Sequence, residues 1–448
     1  MQTLLCRRLL VMGMLMCLLA VPLTLSAQDE IVPATELEST LANDWMMLLY
    51  ELVRDETINA PMASRFYAYA AVALYEGVAP GIPGNFSLSS QLEGLAMLPF
   101  PEEGVVYDYA SIANASLSTM ITALFEAESG TDATFERIDM MREMQTAARL
   151  EDGLDEVVVE RSLVLGDEIG EELKLWMATL DYDEVRGMSY DLLEGDLAYW
   201  VPTSEGMEPL EPFWGELFTF GMGFPSQCNV AMRMPFSSDP DSTFYKQAAE
   251  VLDVSDELTD EQREIARFWI DTPGITGAPS GHWVLIQMQL AQEYELSLAR
   301  ASEMYVLVGM AMNDAFISAW NLKYRDNLVR PVTYIQRNLR RNWTPYVESP
   351  PFPEYPSGHS VVSGAASEVL TTMFGQIAFT DRTPLINGHE NFQRAFTSFE
   401  AAAYEAAISR LYGGIHYRAA IENGLEQGHC VGENVLRNMR LRPRPQGE

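Results

Sequence analysis

The sequence is poor in cysteine, histidine and basic residues. Its 448 residues include four cysteines and five histidines, and 29 Lys and Arg stand against 64 Asp and Glu, for a formal net charge of −35. A chain this acidic repels nucleic acid, so we expect no nucleic-acid partner. The five histidines lack the short paired spacing of divalent-metal hydrolases. Because basic residues are scarce, any pattern in which they recur is a candidate site.

A long hydrophobic run occurs only at the beginning of the chain. Arg7 and Arg8 precede the apolar stretch LLVMGMLMCLLAVPLTL, which two small residues follow. This order is typical of a secretory signal, so we predict a signal peptide at 1–27 and a secreted or periplasmic protein. An uncleaved anchor is the alternative, because Leu25 fits a cleavage site poorly. Later apolar stretches fall short of the about 18 residues of a membrane span, so we expect no span in the mature chain.

The cysteines in the sequence do not by themselves decide whether the chain contains a disulfide. Cys6 and Cys17 lie in the predicted signal, which leaves Cys228 and Cys430 in the mature chain. Two cysteines so far apart show no metal-binding spacing. We expect two buried thiols, with a disulfide between them as the alternative.

Apolar residues recur every three to four positions along most of the chain, which predicts helices, and alternating strand-like runs are scarce. Segments rich in proline, glycine and acidic residues at 81–106 and 201–241 are predicted loops. We therefore predict an all-α fold of packed helical bundles. The predicted helices cover residues 36–56, 64–78, 157–177, 259–271, 281–298, 302–325, 360–374, 394–412 and 418–440.

The tetrapeptide Pro-Ser-Gly-His occurs twice, at 279–282 and at 356–359. In the first copy the serine and glycine precede an amphipathic helix, so a helix-capping turn explains them. No lysine or arginine lies between Arg267 and Arg300, so an anion at His282 would lack nearby cations. We therefore interpret the first copy as structural, with a contact of His282 to the active-site cavity as the alternative.

The second copy lies among recurring basic residues. It follows KYRDNLVRP (323–331) and precedes SRLYGGIHYR (409–418). Arginine forks and a lysine ammonium bind tetrahedral oxyanions, and the N–H groups at a helix start favour an anion. Gly413 and Gly414 can interrupt a helix, so that residues on either side converge. The predicted oxyanion site consists of Lys323, Arg330, Ser357, Gly358, His359, Arg410 and His416.

Three spaced motifs carry a resemblance to a known family. K-x6-RP begins at Lys323, PSGH at Pro356 and SR-x5-H at Ser409, in the order of the phosphatidic acid phosphatase type 2 and vanadium haloperoxidase superfamily. The surrounding sequence, including GHWVLIQMQLA and PPFPEYPSGHSVVSGAASEVL, is similar to the bacterial vanadium-dependent haloperoxidase branch. The resemblance implies a helical-bundle domain of this type at 195–448, after an N-terminal helical region at 28–194.

The resemblance also implies roles for individual residues. His416 would be the axial vanadium ligand, His359 the acid–base residue, and Phe352 an aromatic group near the halide. Asp314 matches a family acid that would lie behind the site. The equatorial oxygens of vanadate would be held by Lys323, Arg330, Ser357, Gly358 and Arg410.

One position departs from the family pattern. Ala420 stands where the family often has an aspartate, four residues after the ligand histidine, that can orient the histidine ring. We expect Glu422 or a backbone carbonyl to take this role for His416. Otherwise the ligand would be less well held and activity would be reduced.

Three functions are compatible with this site. The first is a vanadium-dependent haloperoxidase, which oxidises halide with hydrogen peroxide at bound vanadate, with Lys323 polarising the oxidant and His359 moving a proton. The second is an acid phosphatase, in which His416 attacks a phosphate ester to form a phosphohistidine and His359 protonates the leaving alcohol. Phosphate would then take the place of vanadate. The third is a secreted oxyanion-binding protein without catalysis. The wider similarity favours the haloperoxidase.

Overall fold

The computed structural model describes residues 32–128, 130–386 and 392–443, so the predicted signal lies outside the described residues. Two short strands, β1 (Phe379–Asp381) and β2 (Arg394–Phe396), pair antiparallel with Phe379 opposite Phe396. The all-α prediction is confirmed apart from this small sheet. The helices are α1 Thr40–Asp55, α2 Ala60–Val78, α3 Tyr109–Ala127, α4 Asp132–Glu151, α5 Glu156–Ala178, α6 Tyr182–Arg186, α7 Thr243–Asp256, α8 Asp260–Phe268, α9 Ala278–Glu293, α10 Leu298–Asp326, α11 Pro331–Asn338, α12 Gly358–Phe374, α13 Thr383–Ile386, α14 Phe399–Tyr412 and α15 Arg418–Asn438.

The helix pattern departs from the sequence prediction at several helices. The helices outside the predicted ranges are α3, α4, α6, α7, α11 and α13. Helix α3 is buried on nearly all sides and α4 is mostly exposed, so neither shows the two-faced pattern of an amphipathic helix. The predicted helix at 394–412 is wrong in its first residues, because β2 occupies 394–396 and α14 begins at Phe399. Helix α9 begins three residues earlier than predicted.

Helices α2, α10, α12 and α15 form the central packing of the molecule. Helix α2 packs against α10, α10 against α12, and α12 against α15. Buried residues cover almost all of α2 and α10, as expected for helices that are surrounded by other helices. This arrangement positions the candidate site, since Lys323 lies near the end of α10, His359 at the start of α12 and His416 just before α15.

Glycines let α12 and α15 approach each other closely. A Cβ atom on Gly428 would lie 2.2 Å from the carbonyl oxygen of Val361, and one on Gly364 would lie 2.7 Å from that of Leu425. No larger residue fits at either crossing point without moving a backbone. The close crossing brings the starts of the two helices together.

The two cysteines that follow the predicted signal form a disulfide. Cys228 and Cys430 are joined, with their Cα atoms 5.7 Å apart. The expectation of two buried thiols is therefore wrong, and the alternative holds. The bond ties the long 201–241 loop to α15, and it limits the conformations of the unfolded chain.

Helices from both predicted regions pack together. Helix α2, from the region predicted at 28–194, lies along α10 and also contacts α9. Everything described after Ile31 belongs to one compact unit. The boundary near residue 195 stays a prediction. Within the described ranges, no helix combines the length and the apolar character that a bilayer crossing requires.

Candidate active site

A cavity of about 700 Å³ lies at the start of α12. Its apolar wall includes Phe316, Trp320 and Phe352, and acidic residues such as Glu205 and Glu348 also line it. Predicted site residues that line the same cavity are Phe352, Gly358, His359, Arg410 and His416. The second PSGH and the SR-x5-H motif therefore meet at one cavity although they are far apart along the chain, whereas Lys323, Arg330 and Ser357 do not line it.

Lys323 lies behind this wall, fully buried. Its ammonium group donates hydrogen bonds to the carbonyl oxygens of Pro353 and Glu354, at 3.1 Å each, and of Pro356. Burial and the charge of Arg330 lower the pKa of Lys323 well below its usual value, whereas the Glu354 carboxylate favours the charged form. Three carbonyl acceptors between Pro353 and Pro356 match the three N–H groups of a charged ammonium, because a neutral amine has only two. Lys323 would therefore act on an anion through its charge.

Arg330 is the N-cap residue of α11 and is completely buried. Its Nε donates to the carbonyl of Phe352 at 2.8 Å and its Nη1 to that of Ile415 at 2.9 Å. Nη1 also lies 3.2 Å from Nε2 of His416. Burial lowers the pKa of Arg330 to about 10, which leaves it charged at neutral pH. Nη2 is buried and has no hydrogen-bond partner among the described residues, so this donor is available beside His416.

His416 is held in one orientation by Glu354. Nδ1 of the ring lies 2.9 Å from Oε1 of Glu354, and the Tyr417 backbone N–H donates to the same oxygen at 2.8 Å. Burial and the nearby cations, Arg330 first among them, lower the pKa of His416 well below its usual value, so the ring is neutral. A neutral ring that donates from Nδ1 keeps a lone pair on Nε2, the form that binds a metal.

Glu354 is a site residue that the sequence analysis missed. Burial raises its pKa to about 7, and it takes the orienting role that was expected of Glu422 or a backbone carbonyl. Glu422 instead lies at the surface, where it faces Arg418. At Ala420, where the family often has an aspartate, the backbone carbonyl accepts a hydrogen bond from the N–H of Ser357 at 3.0 Å. The available signal was a single acid in the proline-rich stretch PPFPEYPSGH.

The second PSGH begins α12. Ser357 is the N-cap residue, and its side chain accepts a hydrogen bond from the Ser360 N–H at 3.4 Å. Gly358 is the first helical residue and faces Trp320, whose ring lies 3.5 Å from the place a Cβ would occupy. The start of a helix carries partial positive charge. Gly358 and His359 line the cavity, so this end of α12 forms part of its wall.

Arg410 lies near the end of α14 and is buried. Its Nε donates to the Ser409 hydroxyl at 2.9 Å and its Nη2 to the carbonyl of Trp269 at 2.5 Å. Burial lowers its pKa to about 10, while the charge of Asp271 opposes this shift. Helix α14 ends before Gly413, and Gly414 has a φ of 77°, so the predicted helix interruption is confirmed.

His359 faces an acid that the sequence analysis missed. Its Nε2 lies 3.6 Å from Oδ2 of Asp271. Burial and the charge of Arg410 lower the pKa of His359 to about 4, although Asp271 acts in the opposite direction. The ring is therefore neutral at pH 7 and can accept a proton. Asp271 follows α8 in the segment FWIDTPG, where no sequence pattern marks it as a site residue.

Phe352 and Asp314 lie at different distances from the site. The Phe352 ring lies 4.9 Å from the Lys323 ammonium and 4.7 Å from the Arg330 guanidinium carbon. Asp314 accepts hydrogen bonds from the backbone N–H groups of residues 220–222. Asp314 is fully buried and anchors that loop on α10, and it does not line the cavity.

The first PSGH lies inside its helix, whereas the second lies at the helix start. Helix α9 begins at Ala278 after the N-cap residue Gly277, so Ser280 lies inside the first turn and makes no capping bond. The predicted capping turn is therefore wrong. His282 does not line the cavity, but it contacts Asp271, which does.

Comparison with known proteins identifies the family. A bacterial vanadium-dependent iodoperoxidase of known structure is 34% identical, with a TM-score of 0.83, over 91% of this chain and 98% of that one. The chain belongs to the bacterial vanadium-dependent haloperoxidase family.

More distant comparisons agree with this family's fold. The model of the second helical-bundle domain of VCPO matches residues 303–442. Two bacterial vanadium-dependent chloroperoxidase structures, holo-type and apo-type, are each 17% identical to this chain, with TM-scores of 0.63 and 0.64. Each match covers 85% of this chain, together with 94% of the holo-type chain and 95% of the apo-type chain. At this identity they show the fold alone. No curated protein sequence matches the chain significantly.

Proposed function

We propose that the protein is a vanadium-dependent haloperoxidase that oxidises halide with hydrogen peroxide. The observation that supports this most strongly is the 34% identity to the iodoperoxidase across 98% of that chain. The same oxyanion site could serve a phosphatase, because phosphate and vanadate share shape and charge, and a fold alone does not decide function.

The residues at the cavity fit a vanadate cofactor. A tetrahedral oxyanion needs hydrogen-bond donors and positive charge, and its metal needs a neutral nitrogen ligand. Nη2 of Arg330 is buried without a partner among the described residues. Nε2 of the neutral His416 ring carries the lone pair that Glu354 does not face, and it lies 3.2 Å from Nη1 of Arg330. Bound vanadate would supply a Lewis acid that activates peroxide toward halide. We propose that Nε2 of His416 would bind the metal and that Arg330, Ser357, Gly358 and Arg410 would hold its oxygens. Lys323 would stabilise the anion through its charge.

His359 is the proposed proton carrier. Its ring is neutral at pH 7 and lines the cavity, as do Arg410 and His416 of the proposed anion site. A neutral imidazole can accept a proton and return it within one turnover. Phe352 and Trp320 give the cavity an apolar wall near Lys323, a surface that suits a weakly hydrated halide.

We further propose that the protein is secreted or periplasmic. The sequence at 1–27 has the order of a secretory signal, and the Cys228–Cys430 disulfide is typical of oxidising compartments. The mass of the mature protein, purified from its native host, tests this. Cleavage after residue 27 is the expected result, and an intact N-terminus on membrane-bound protein would instead favour the anchor.

A single assay set separates the proposed functions. Vanadate-free protein is tested for oxidation of iodide, bromide and chloride with hydrogen peroxide, with and without added vanadate, and for hydrolysis of p-nitrophenyl phosphate. Halide oxidation that requires vanadate supports the haloperoxidase. Phosphate hydrolysis that vanadate inhibits, without halide oxidation, would support the phosphatase instead. If the protein shows neither activity, the oxyanion-binding protein becomes the better account.

A further inference from the structure

His282, from the first PSGH, joins two buried carboxylates. Its Nδ1 lies 2.9 Å from Oδ1 of Asp271 and its Nε2 lies 2.8 Å from Oδ2 of Asp381. A neutral imidazole has only one N–H, so two bonds to carboxylates require the doubly protonated ring. Burial opposes this charge, but Asp271 and Asp381 outweigh it and raise the pKa of His282 to about 10. We call these three residues the Asp381–His282–Asp271 network.

Neighbouring groups hold Asp381 and His282 in place. Asp381 ends β1 and accepts a hydrogen bond from the Thr383 N–H at 2.8 Å. The His282 ring stacks on Trp269, with 4.2 Å between ring centres and 16° between planes. His282 is also held by its place in the buried N-terminal part of α9. The imidazolium therefore has a fixed position from which to orient Asp271.

Asp271 depends on this support. Its φ is 44°, in the left-handed region that residues other than glycine rarely adopt, and such a conformation persists only where the surroundings hold it. One carboxylate oxygen accepts from His282. The other, Oδ2, is buried without a hydrogen-bond partner among the described residues and lies 3.6 Å from Nε2 of His359, which is also buried and unpartnered there.

We propose that His282 is a positioning residue, which directs the second carboxylate oxygen of Asp271 toward Nε2 of His359. The consequence is a defined tautomer: a carboxylate next to Nε2 favours the Nε2–H form, so Nδ1 of His359 carries the lone pair that accepts a proton. Only the importance of His359 for turnover rests on the proposed function. The two copies of PSGH thus act on one site through a shared aspartate.

A matched pair of variants tests the proposal. The amide nitrogen of asparagine takes the place of histidine Nδ1, and that of glutamine takes the place of Nε2. H282N therefore keeps a donor to Asp271 and H282Q keeps one to Asp381. Each variant is neutral and loses one hydrogen bond, so both should lose a similar amount of stability, which thermal unfolding checks.

The decisive measurement is the ¹⁵N spectrum of the histidine rings in vanadate-free protein at neutral pH, assigned with a His359 variant. We expect His359 as Nε2–H in the wild type and in H282N, and a tautomer mixture in H282Q. With vanadate, we expect kcat for halide oxidation to fall about tenfold in H282Q and to change little in H282N, with KM for halide nearly constant in both.

The wild-type spectrum keeps the test decisive even if H282Q does not fold. A neutral His282, or an Nδ1–H tautomer of His359, would overturn the proposal without any variant. Equal effects of H282N and H282Q on His359 would also overturn it and leave His282 a merely structural residue. A wild type that oxidises no halide but shows these tautomers would overturn the proposed function and not the positioning role.

Discussion

The two PSGH segments contain the same four residues in different surroundings. In the first, the side chain of His282 is 1% exposed and both ring nitrogens face carboxylates. In the second, the side chain of His359 is 18% exposed, lines the cavity and lies near Arg410. The difference begins at the helix start, because Ser357 caps α12 whereas Ser280 lies inside α9. The two histidines therefore differ in charge: His282 is protonated and His359 is neutral. The difference arises from the groups that the fold places around each ring.

The largest expected effect comes from removing the histidine of the second copy. H359A removes the proposed proton carrier, so we expect kcat for halide oxidation to fall about 100-fold or more. Vanadate affinity, measured by calorimetry, should change much less. The control is H429A, since His429 lies outside the cavity and pairs with Glu368 and Glu400. Equal losses in both variants would contradict the assignment of His359.

A second test concerns the acid that precedes only the second copy. Glu354 lies three residues before Ser357, while Gly277 holds the matching position before Ser280. E354Q weakens the acceptor that orients His416, so we expect vanadate to bind about 10–100-fold more weakly. E422Q is the matched control, because Glu422 lies on the surface, and should bind vanadate as the wild type does. If E422Q weakened binding and E354Q did not, the sequence-based expectation would be restored.

Substituting alanine for the glycine should reduce stability in the first copy and vanadate binding in the second. A Cβ on Gly281 would lie 2.7 Å from the Tyr67 hydroxyl, which donates to the Gly277 carbonyl. We expect G281A to lose about 1–3 kcal/mol of unfolding free energy. A Cβ on Gly358 meets Trp320 at an ordinary 3.5 Å. G358A should stay within about 1 kcal/mol of the wild type, yet bind vanadate more weakly because the methyl group enters the cavity. Urea unfolding and calorimetry measure the two effects.

The smallest expected effect separates the two serines. S357A removes a helix N-cap, and we expect a loss of about 1 kcal/mol in unfolding free energy. Ser280 has a buried hydroxyl without a hydrogen-bond partner among the described residues. S280A should therefore leave stability unchanged or raise it slightly. Urea unfolding of both variants checks this, and a larger loss in S280A would show that the first copy has a hydroxyl contact that the structure does not contain.

The sequence indicated the helical class and the residues of the proposed oxyanion site because both signals are local or strongly patterned. Three-to-four periodicity predicts α2, α5 and α10 without tertiary information. Recurring basic residues in an acidic chain mark Lys323 and Arg330. Helix α3 was not predicted, although α2 and α10, which are also buried on nearly all sides, were. The lack of a polar face therefore does not by itself explain why α3 was missed.

Sequence alone determined which residues supply positive charge, which histidines flank it, and the order in which the chain presents them. Tertiary structure decided what surrounds each of them. Glu354 orients His416 and Asp271 connects His282 to His359 only because α9, α12 and the segment before α15 are packed together. The protonation state of a buried group depends on charges a few ångströms away, and those neighbours lie up to a hundred residues distant in the chain, beyond the reach of any local pattern.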